Sequence, residues 1–345
     1  MKIALVNDTF LYGRGADTVI YELAKRLGRK HDVYVLAGET NIKEENFKFI
    51  KINLPKLFTG KIGDFNFFYN MLKLRRQIKK IQRFHHFDIF NLFHSALNVS
   101  FTGFPAIVTW LGSPQTKNFF RRALNKMLLV TLKKNLKTVT ISKYLRKNIG
   151  FLENVEVIYC GISREFSPAK KEINKNYMLY IGRLERHKNI GEIIKLSKIL
   201  NFPLKIGGYG SEEKKLKNMA KIISAPVEFL GFVARDNLIR LYRECSFFIS
   251  ASRWEGFGLI FAEAGACGKP SIAYRIGSIP EVISDEETGF LANNSMELKQ
   301  GAEMLIKNPK IRQKMGKNAL IFGRKFSWEK SAEEYEKIFY KVIQK

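Results

Sequence analysis

The stretch Cys245-Ser-Phe-Phe-Ile-Ser-Ala-Ser252 leads, through Arg253 and Trp254, into Glu255-Gly-Phe-Gly-Leu-Ile-Phe-Ala-Glu263. Its first part is a short apolar run that reads as a buried strand. A glycine-rich turn follows, and Leu259 to Cys267 then reads as a tightly packed helix. Strand, turn and helix in that order form one unit of a parallel α/β sheet. Two carboxylates, Glu255 and Glu263, bracket the turn. Glu263 stands among Ile260, Phe261, Ala262 and Ala264, a neighbourhood expected to be largely buried. An ionised carboxylate there is costly unless something hydrogen-bonds it. Gly258 and Leu259 would open the helix, so their free N–H groups can face an anion. A buried acceptor beside an anion-binding helix end suits a sugar nucleotide, with its hydroxyls and its diphosphate. An N-cap region followed by a core carboxylate paired to a structural arginine would have the same local sequence.

Working outward, the same alternation recurs on both sides. Tyr177-Met-Leu-Tyr-Ile181 reads as a buried strand, followed by a helix over Asn189–Leu200. Leu204–Ile206, Val227–Phe229, Phe247–Ser250 and Ser271–Ala273 continue the series. An independent series precedes it: Ile3–Val6, a helix over Asp17–Leu27 ending at Gly28, then Val33–Leu36, Ile89–Phe93, Ile107–Trp110, Thr138–Ile141 and Val155–Tyr159. The polar stretch near Ser163–Asn176 reads as a linker, and an amphipathic helix over Ser331–Ile343 closes the chain. The expected architecture is α/β, with two doubly wound Rossmann-like domains facing across a cleft. The boundaries fall at residues 1–162 and 163–328, and the helix 329–345 packs back on the first domain. In such sheets ligands bind at the carboxyl ends of the strands, which puts the site in the cleft.

The composition fits this reading. The chain has 345 residues, more than one core comfortably supports, and 46% of them are hydrophobic. Three scattered cysteines with no CxxC pair favour neither a disulfide framework nor a thiolate zinc site, so a cytoplasmic setting is expected. No charged residue occurs from Ile89 to Thr116, but Asn91, His94, Asn98, Gly103 and Pro105 interrupt the segment. Two buried strands explain it better than one membrane-spanning helix. The formal net charge is +27, and no acidic residue lies between Asp88 and Glu153. Such a field favours an anionic partner, although a lysine-rich surface accounts for part of it.

The chemistry-bearing residues gather in the second series. In Tyr180-Ile-Gly-Arg-Leu-Glu-Arg-His-Lys188, Arg183 and Lys188 follow a strand's carboxyl end. Two cations placed there can hold a diphosphate and stabilise the charge it gains on leaving. With the Glu255–Glu263 element and Glu263-Ala-Gly-Ala-Cys-Gly-Lys-Pro270, these residues resemble the retaining GT-B glycosyltransferases of family 4. Further matches are Val157-Ile-Tyr-Cys-Gly161, Leu230-Gly-Phe-Val233, Gly277-Ser-Ile-Pro-Glu281, Thr288-Gly-Phe-Leu291 and Phe326-Ser-Trp328. The resemblance is strongest over residues 177–292.

The resemblance implies roles that agree with the chemistry. Arg183 and Lys188 would bind the donor diphosphate of a UDP- or GDP-sugar, and Glu263 would accept from the ribose hydroxyls. Glu255 would hold the donor sugar and distal phosphate, with backbone at Phe257, Gly258 and Leu259. Backbone around Phe232 and Val233 would contact the base. The catalytic residues would be Glu255, Arg183 and Lys188, and anomeric configuration would be retained. In Tyr12-Gly-Arg-Gly-Ala16 the glycine at Gly15 would meet a phosphate, although the family usually has adjacent glycines there. The family also often has a histidine after the strand that corresponds to Ile107–Thr109. Trp110-Leu-Gly-Ser-Pro114 offers none, and His94 reads more simply as a core or surface residue. There is no Asp-x-Asp motif and no histidine cluster at metal spacing, so neither metal nor organic cofactor is expected.

Two stretches bear on the acceptor. Phe65–Arg83 and Phe119–Lys134 mix aromatics and leucines with basic residues, among them Arg75, Arg76, Lys79, Lys80, Arg121 and Arg122. That is the composition of interfacial helices, although two helices packed on the first sheet with basic outer faces would read alike. The expected function is transfer of a sugar to a lipid-linked or phosphate-bearing glycan at an anionic membrane surface, peripheral on its cytoplasmic face. A soluble-acceptor enzyme of the glycogen-synthase type is the alternative. A basic nucleic-acid-binding protein would leave the donor motifs unexplained, and no nucleic-acid partner is expected.

Overall fold

The apolar runs form two all-parallel sheets in a computed structural model that describes residues 1–13, 15–53, 66–93, 103–112, 137–150, 152–170 and 174–344, with backbone only for 66–71. The chain splits into two compact units, Met1–Gly161 with Trp328–Lys345, and Ile162–Ser327.

The first unit contains β1 (Lys2–Val6), α1 (Gly15–Leu27), β2 (Asp32–Ala37), β3 (Lys48–Lys51), α2 (Asn66–His85), β4 (Ile89–Leu92), β5 (Ala106–Trp110), β6 (Lys137–Thr140), α3 (Lys143–Asn148) and β7 (Val155–Val157). The strand order is β3-β2-β1-β4-β5-β6-β7. The charge-free segment therefore supplies two adjacent strands, with Phe90 beside Ala106 and Leu92 beside Val108. β3 was not anticipated. Its Lys-Phe-Ile-Lys sequence carries lysines at both ends, as edge strands do, and only two apolar residues mark it. In α1, Val19, Ile20, Leu23, Ala24 and Leu27 are buried, and Asp17 favours the first turn by its charge.

The second unit contains β8 (Met178–Ile181), a 3₁₀ turn (Arg186–Lys188), α4 (Ile190–Leu200), β9 (Leu204–Gly207), α5 (Glu213–Ile222), β10 (Val227–Gly231), α6 (Arg235–Glu244), β11 (Phe247–Ser250), α7 (Leu259–Ala266), β12 (Ser271–Tyr274), α8 (Ile279–Val282), β13 (Gly289–Ala292), α9 (Ser295–Lys307) and α10 (Pro309–Gly323). Its order is β10-β9-β8-β11-β12-β13. After β10 the chain crosses back and adds β11 on the other side of β8. Loops leaving β8 and β11 thus diverge at the switch point of the sheet, where a crevice opens. β11 is buried at all four positions, and Met178, Tyr180, Ile194, Ile206, Phe247 and Ile249 form the centre of the core.

Residues 163–168 are not a free connector. Phe166 is buried against the Tyr242 ring, and Arg243 Nε donates to the Ser167 carbonyl at 2.7 Å. The last helix, α11 (Trp328–Ile343), begins three residues before the expected Ser331 and lies in the first unit. Its Tyr335 hydroxyl lies 3.2 Å from Thr109 Oγ1, which donates to Asn91 Oδ1 at 2.8 Å.

Candidate active site

The site is built where β8 and β11 end side by side. Beyond β8 the chain turns at Gly182, whose φ of 155° and close approach to the Tyr180 ring leave no room for a side chain. Arg183 follows and is exposed. Its carbonyl accepts from the Tyr180 hydroxyl at 3.3 Å, which anchors the loop to the core. The 3₁₀ turn then delivers Lys188. Beyond β11 the chain reaches Glu255, which is buried. Lys188 Nζ donates to Glu255 Oε1 at 2.6 Å, and the two side chains are only 12% and 9% exposed.

The segments holding this pair are tied together independently of it. The Arg253 amide donates to the His187 carbonyl at 2.8 Å, and the His187 and Trp254 rings meet edge to face. Ser278 Oγ donates to the Glu255 carbonyl at 3.1 Å. A Cβ on Gly277, which has φ of 56°, would lie 2.6 Å from that carbonyl, so only glycine fits there. Burial, and then the Lys188 charge, push the His187 imidazole below its ordinary pKa. A neutral ring is the consequence.

Gly258 starts α7 with φ of 93°, its position closed to a side chain by the Phe261 ring. Phe257 is buried with its ring edge-on to Phe326, so its side chain belongs to the core and only its backbone is left for a ligand. Leu259 is partly exposed. Glu263 is less buried than expected: Phe261, Ala262 and Ala264 are buried around it, whereas Glu263 and Ile260 are partly exposed. The Tyr242 hydroxyl donates to Glu263 Oε2 at 3.1 Å. Burial and the nearby Glu263 charge raise the Tyr242 pKa well above that of a free phenol, so it remains a donor.

Two loops flank these residues. Gly207-Gly208-Tyr209-Gly210 leaves β9 and lies against the Arg183 loop: the Leu184 amide donates to the Tyr209 carbonyl at 2.9 Å, and a Cβ on Gly208 would fall 2.0 Å from the Gly182 oxygen. The Gly208 amide donates to the Gly231 carbonyl at 2.7 Å, which brings in the loop after β10. There Phe232 is 60% exposed and Val233 is partly buried beside Gly207. This second glycine loop was not anticipated, although three glycines in four positions at the end of a strand are a legible turn signal. Tyr242 carries no spacing signal of its own and was not anticipated, and Ser278 entered only as part of Gly277-Ser-Ile-Pro-Glu281.

In the first unit, Gly15 is exposed at the start of α1, and a Cβ there would meet nothing within 4 Å. The loop before it is shaped by Asp17, which is 1% exposed and accepts from Asn7 Nδ2 (2.9 Å), Thr9 Oγ1 (3.0 Å) and the Leu11 amide (2.8 Å). Arg14 and His94 lie outside the described residues, as do Arg121 and Arg122. On α2, Arg76, Lys79 and Lys80 are exposed and Arg75 is partly so. Among the described residues no group of three or more His, Cys, Asp or Glu side chains gathers as a metal site would require. Burial pushes the Cys245 and Cys267 thiols up to about 12, so neither is a nucleophile.

Comparison with known proteins accords with this geometry. Residues 163–321 match the family model of glycosyl transferases group 1, and residues 13–166 match that of glycosyltransferase family 4. An uncharacterized glycosyltransferase of Methanocaldococcus jannaschii is 29% identical over 358 residues, covering 98% of each chain. Among solved structures, the sucrose-phosphate synthase of Thermosynechococcus elongatus superposes with a TM-score of 0.85 at 18% identity over 99% of both chains. Anabaena HepE, solved with UDP-glucose, superposes with a TM-score of 0.83 at 18% identity, over 99% of this chain and 100% of its own. The two parallel α/β sheets and these superpositions show the GT-B fold. The chain belongs to the group 1 glycosyltransferases of family 4 and is a transferase enzyme.

Proposed function

We propose that the enzyme transfers a sugar from a UDP- or GDP-sugar to a lipid-linked or phosphate-bearing glycan at an anionic membrane surface, on its cytoplasmic face and with retention of configuration. The observation that carries the donor half is the meeting of Lys188 and Glu255 at the switch point of the second sheet, with Arg183 on the same loop. A cation for a diphosphate and a carboxylate for sugar hydroxyls stand side by side there. Arg183 and Lys188 hold the diphosphate, Glu255 holds the sugar, and the free N–H groups opening α7 face the distal phosphate. Glu263, kept in place by Tyr242, accepts from the ribose, and the backbone at Phe232 and Val233 borders the base. Gly15 lets the backbone approach a phosphate.

In the reaction the acceptor hydroxyl attacks the anomeric carbon on the face the diphosphate leaves. The bond from that carbon to the phosphate oxygen breaks with its electron pair going to oxygen, and the acceptor's proton passes to the leaving phosphate. Arg183 and Lys188 stabilise the charge that develops there, so no metal or organic cofactor is assigned.

The acceptor half rests on α2. Leu74 and Ile78 are buried on one side, while Leu72, Arg76, Lys79 and Arg83 form an exposed stripe with Lys80 and Phe84 beside it. Exposed apolar residues at both ends of a basic stripe suit a headgroup layer. No helix among the described residues is long and apolar enough to cross a membrane.

Thermal shift against UDP, GDP, ADP and their sugars tests the donor. A ligand at 100 times its Kd adds about 2.7 kcal/mol to the stability of a protein that binds it only when folded. Lys188→Ala should lower kcat/KM by about 10²–10³-fold, the usual cost of removing one stabiliser of developing charge. Full transfer activity in that variant would remove Lys188 from the site.

A further inference from the structure

We infer that the Lys188–Glu255 pair is a sensor for the sugar on the donor: Glu255 competes with the diphosphate for Lys188, and only a bound sugar relieves the competition. The inference rests on the donor reading above. In the free protein the cation meant for the diphosphate is already held at 2.6 Å by a carboxylate, and water reaches little of either side chain. A diphosphate that takes Lys188 must draw it from Glu255. It must then sit beside a carboxylate that has lost its only cationic contact at hydrogen-bonding distance among the described residues. A buried carboxylate without a donor is costly, and two like charges brought together add to that cost.

Glu255 cannot retreat to lower that cost. Its carbonyl is held by Ser278, Gly277 packs directly on it, and the Arg253 amide ties the preceding segment to His187. A sugar attached to the diphosphate offers hydroxyl donors at that point, which replace the Lys188 ammonium as partners of Glu255. The nucleotide sugar therefore satisfies both members of the pair, whereas a bare nucleoside diphosphate satisfies one and strands the other. The same arithmetic acts after transfer. Once the sugar has gone to the acceptor, Glu255 loses its hydroxyl partners and recaptures Lys188, which promotes release of the diphosphate product.

Calorimetric titration of the wild type and Glu255→Gln with UDP, GDP, ADP and the corresponding sugars tests this. Glutamine keeps the volume and a hydrogen-bond acceptor for Lys188 but removes the charge. Glu255→Ala serves as a second variant, and melting curves establish that each is folded. Where the wild type binds a nucleoside diphosphate, both variants should bind it about tenfold more tightly and bind the nucleotide sugar more weakly. The matching nucleoside monophosphate should bind equally to all three. Bare diphosphate bound no more tightly by either folded variant overturns the sensor while leaving the donor reading intact. Absence of binding by every nucleotide to the wild type overturns the donor reading itself.

Discussion

At the residue scale, positions that the fold needs differ from positions that it merely tolerates. Gly277 and Gly258 are demanded by neighbours a side chain would strike. Gly15 is not: α1 would accept a Cβ there without contact. Gly15→Ala should therefore stabilise the free protein by about 0.4–1 kcal/mol through the unfolded chain. The same change should weaken donor-dependent transfer. A variant that melts higher and transfers as well as wild type would remove Gly15 from the site. His187 carries a pH signature. Burial first, then Lys188, lowers its pKa in the folded state, so the unfolded chain binds more protons just below the ordinary value of about 6.5. Stability then rises with pH through that window and falls on acidification. Melting curves should show wild type losing stability relative to His187→Asn as pH drops below about 6.5, and a flat difference would contradict the assignment.

At the element scale, α11 shows which contacts hold a returning helix. It meets α1 through Arg26–Glu329 at 3.3 Å and the connection from α1 to β2 through His31–Glu336 at 2.7 Å. Glutamine at position 336 keeps a hydrogen-bond acceptor for His31, so that change costs about 1 kcal/mol. Phe339 is fully buried, and Trp328 and Tyr335 nearly so. Phe339→Ala should cost about 3–5 kcal/mol in denaturant unfolding, several times the effect of Glu336→Gln. Comparable costs would place the docking energy in the charges. The loop series at the ends of β8, β9, β10 and β11 was legible only in part. The Arg183–Lys188 and Glu255–Glu263 segments follow strands with unmistakable apolar runs. Their mutual contacts do not appear in any local pattern, because β8 and β11 lie far apart in sequence and become neighbours only through the crossover.

At the scale of the whole molecule, the charge of +27 supplies a field with a definite salt dependence. The exposed stripe on α2 should bring the protein down with anionic liposomes at low salt, with about 1 kcal/mol per basic residue near the surface. Lys79→Gln with Lys80→Gln should then weaken binding by roughly 30-fold. Protein that stays in the supernatant with anionic vesicles at low salt would remove the membrane from the proposal.

The sequence by itself determined the α/β class, the two strand–helix series and the placement of Arg183, Lys188, Glu255 and Glu263 after strand ends. Apolar runs, glycine turns and cations after strands are local signals, read within one unit of the sheet. Tertiary structure alone decided that Lys188 and Glu255 are partners, that Tyr242 holds Glu263, that Glu263 keeps some exposure, and that residues 163–168 pack rather than hang free. Each depends on which strands become neighbours and how deeply a loop settles between them, and that is set by packing over long sequence separations. The stretch from Cys245 to Glu263 contains both kinds of information. Its strand, turn and helix are written locally, while the partner of Glu255 comes from the 3₁₀ turn after β8, more than sixty residues earlier in the chain.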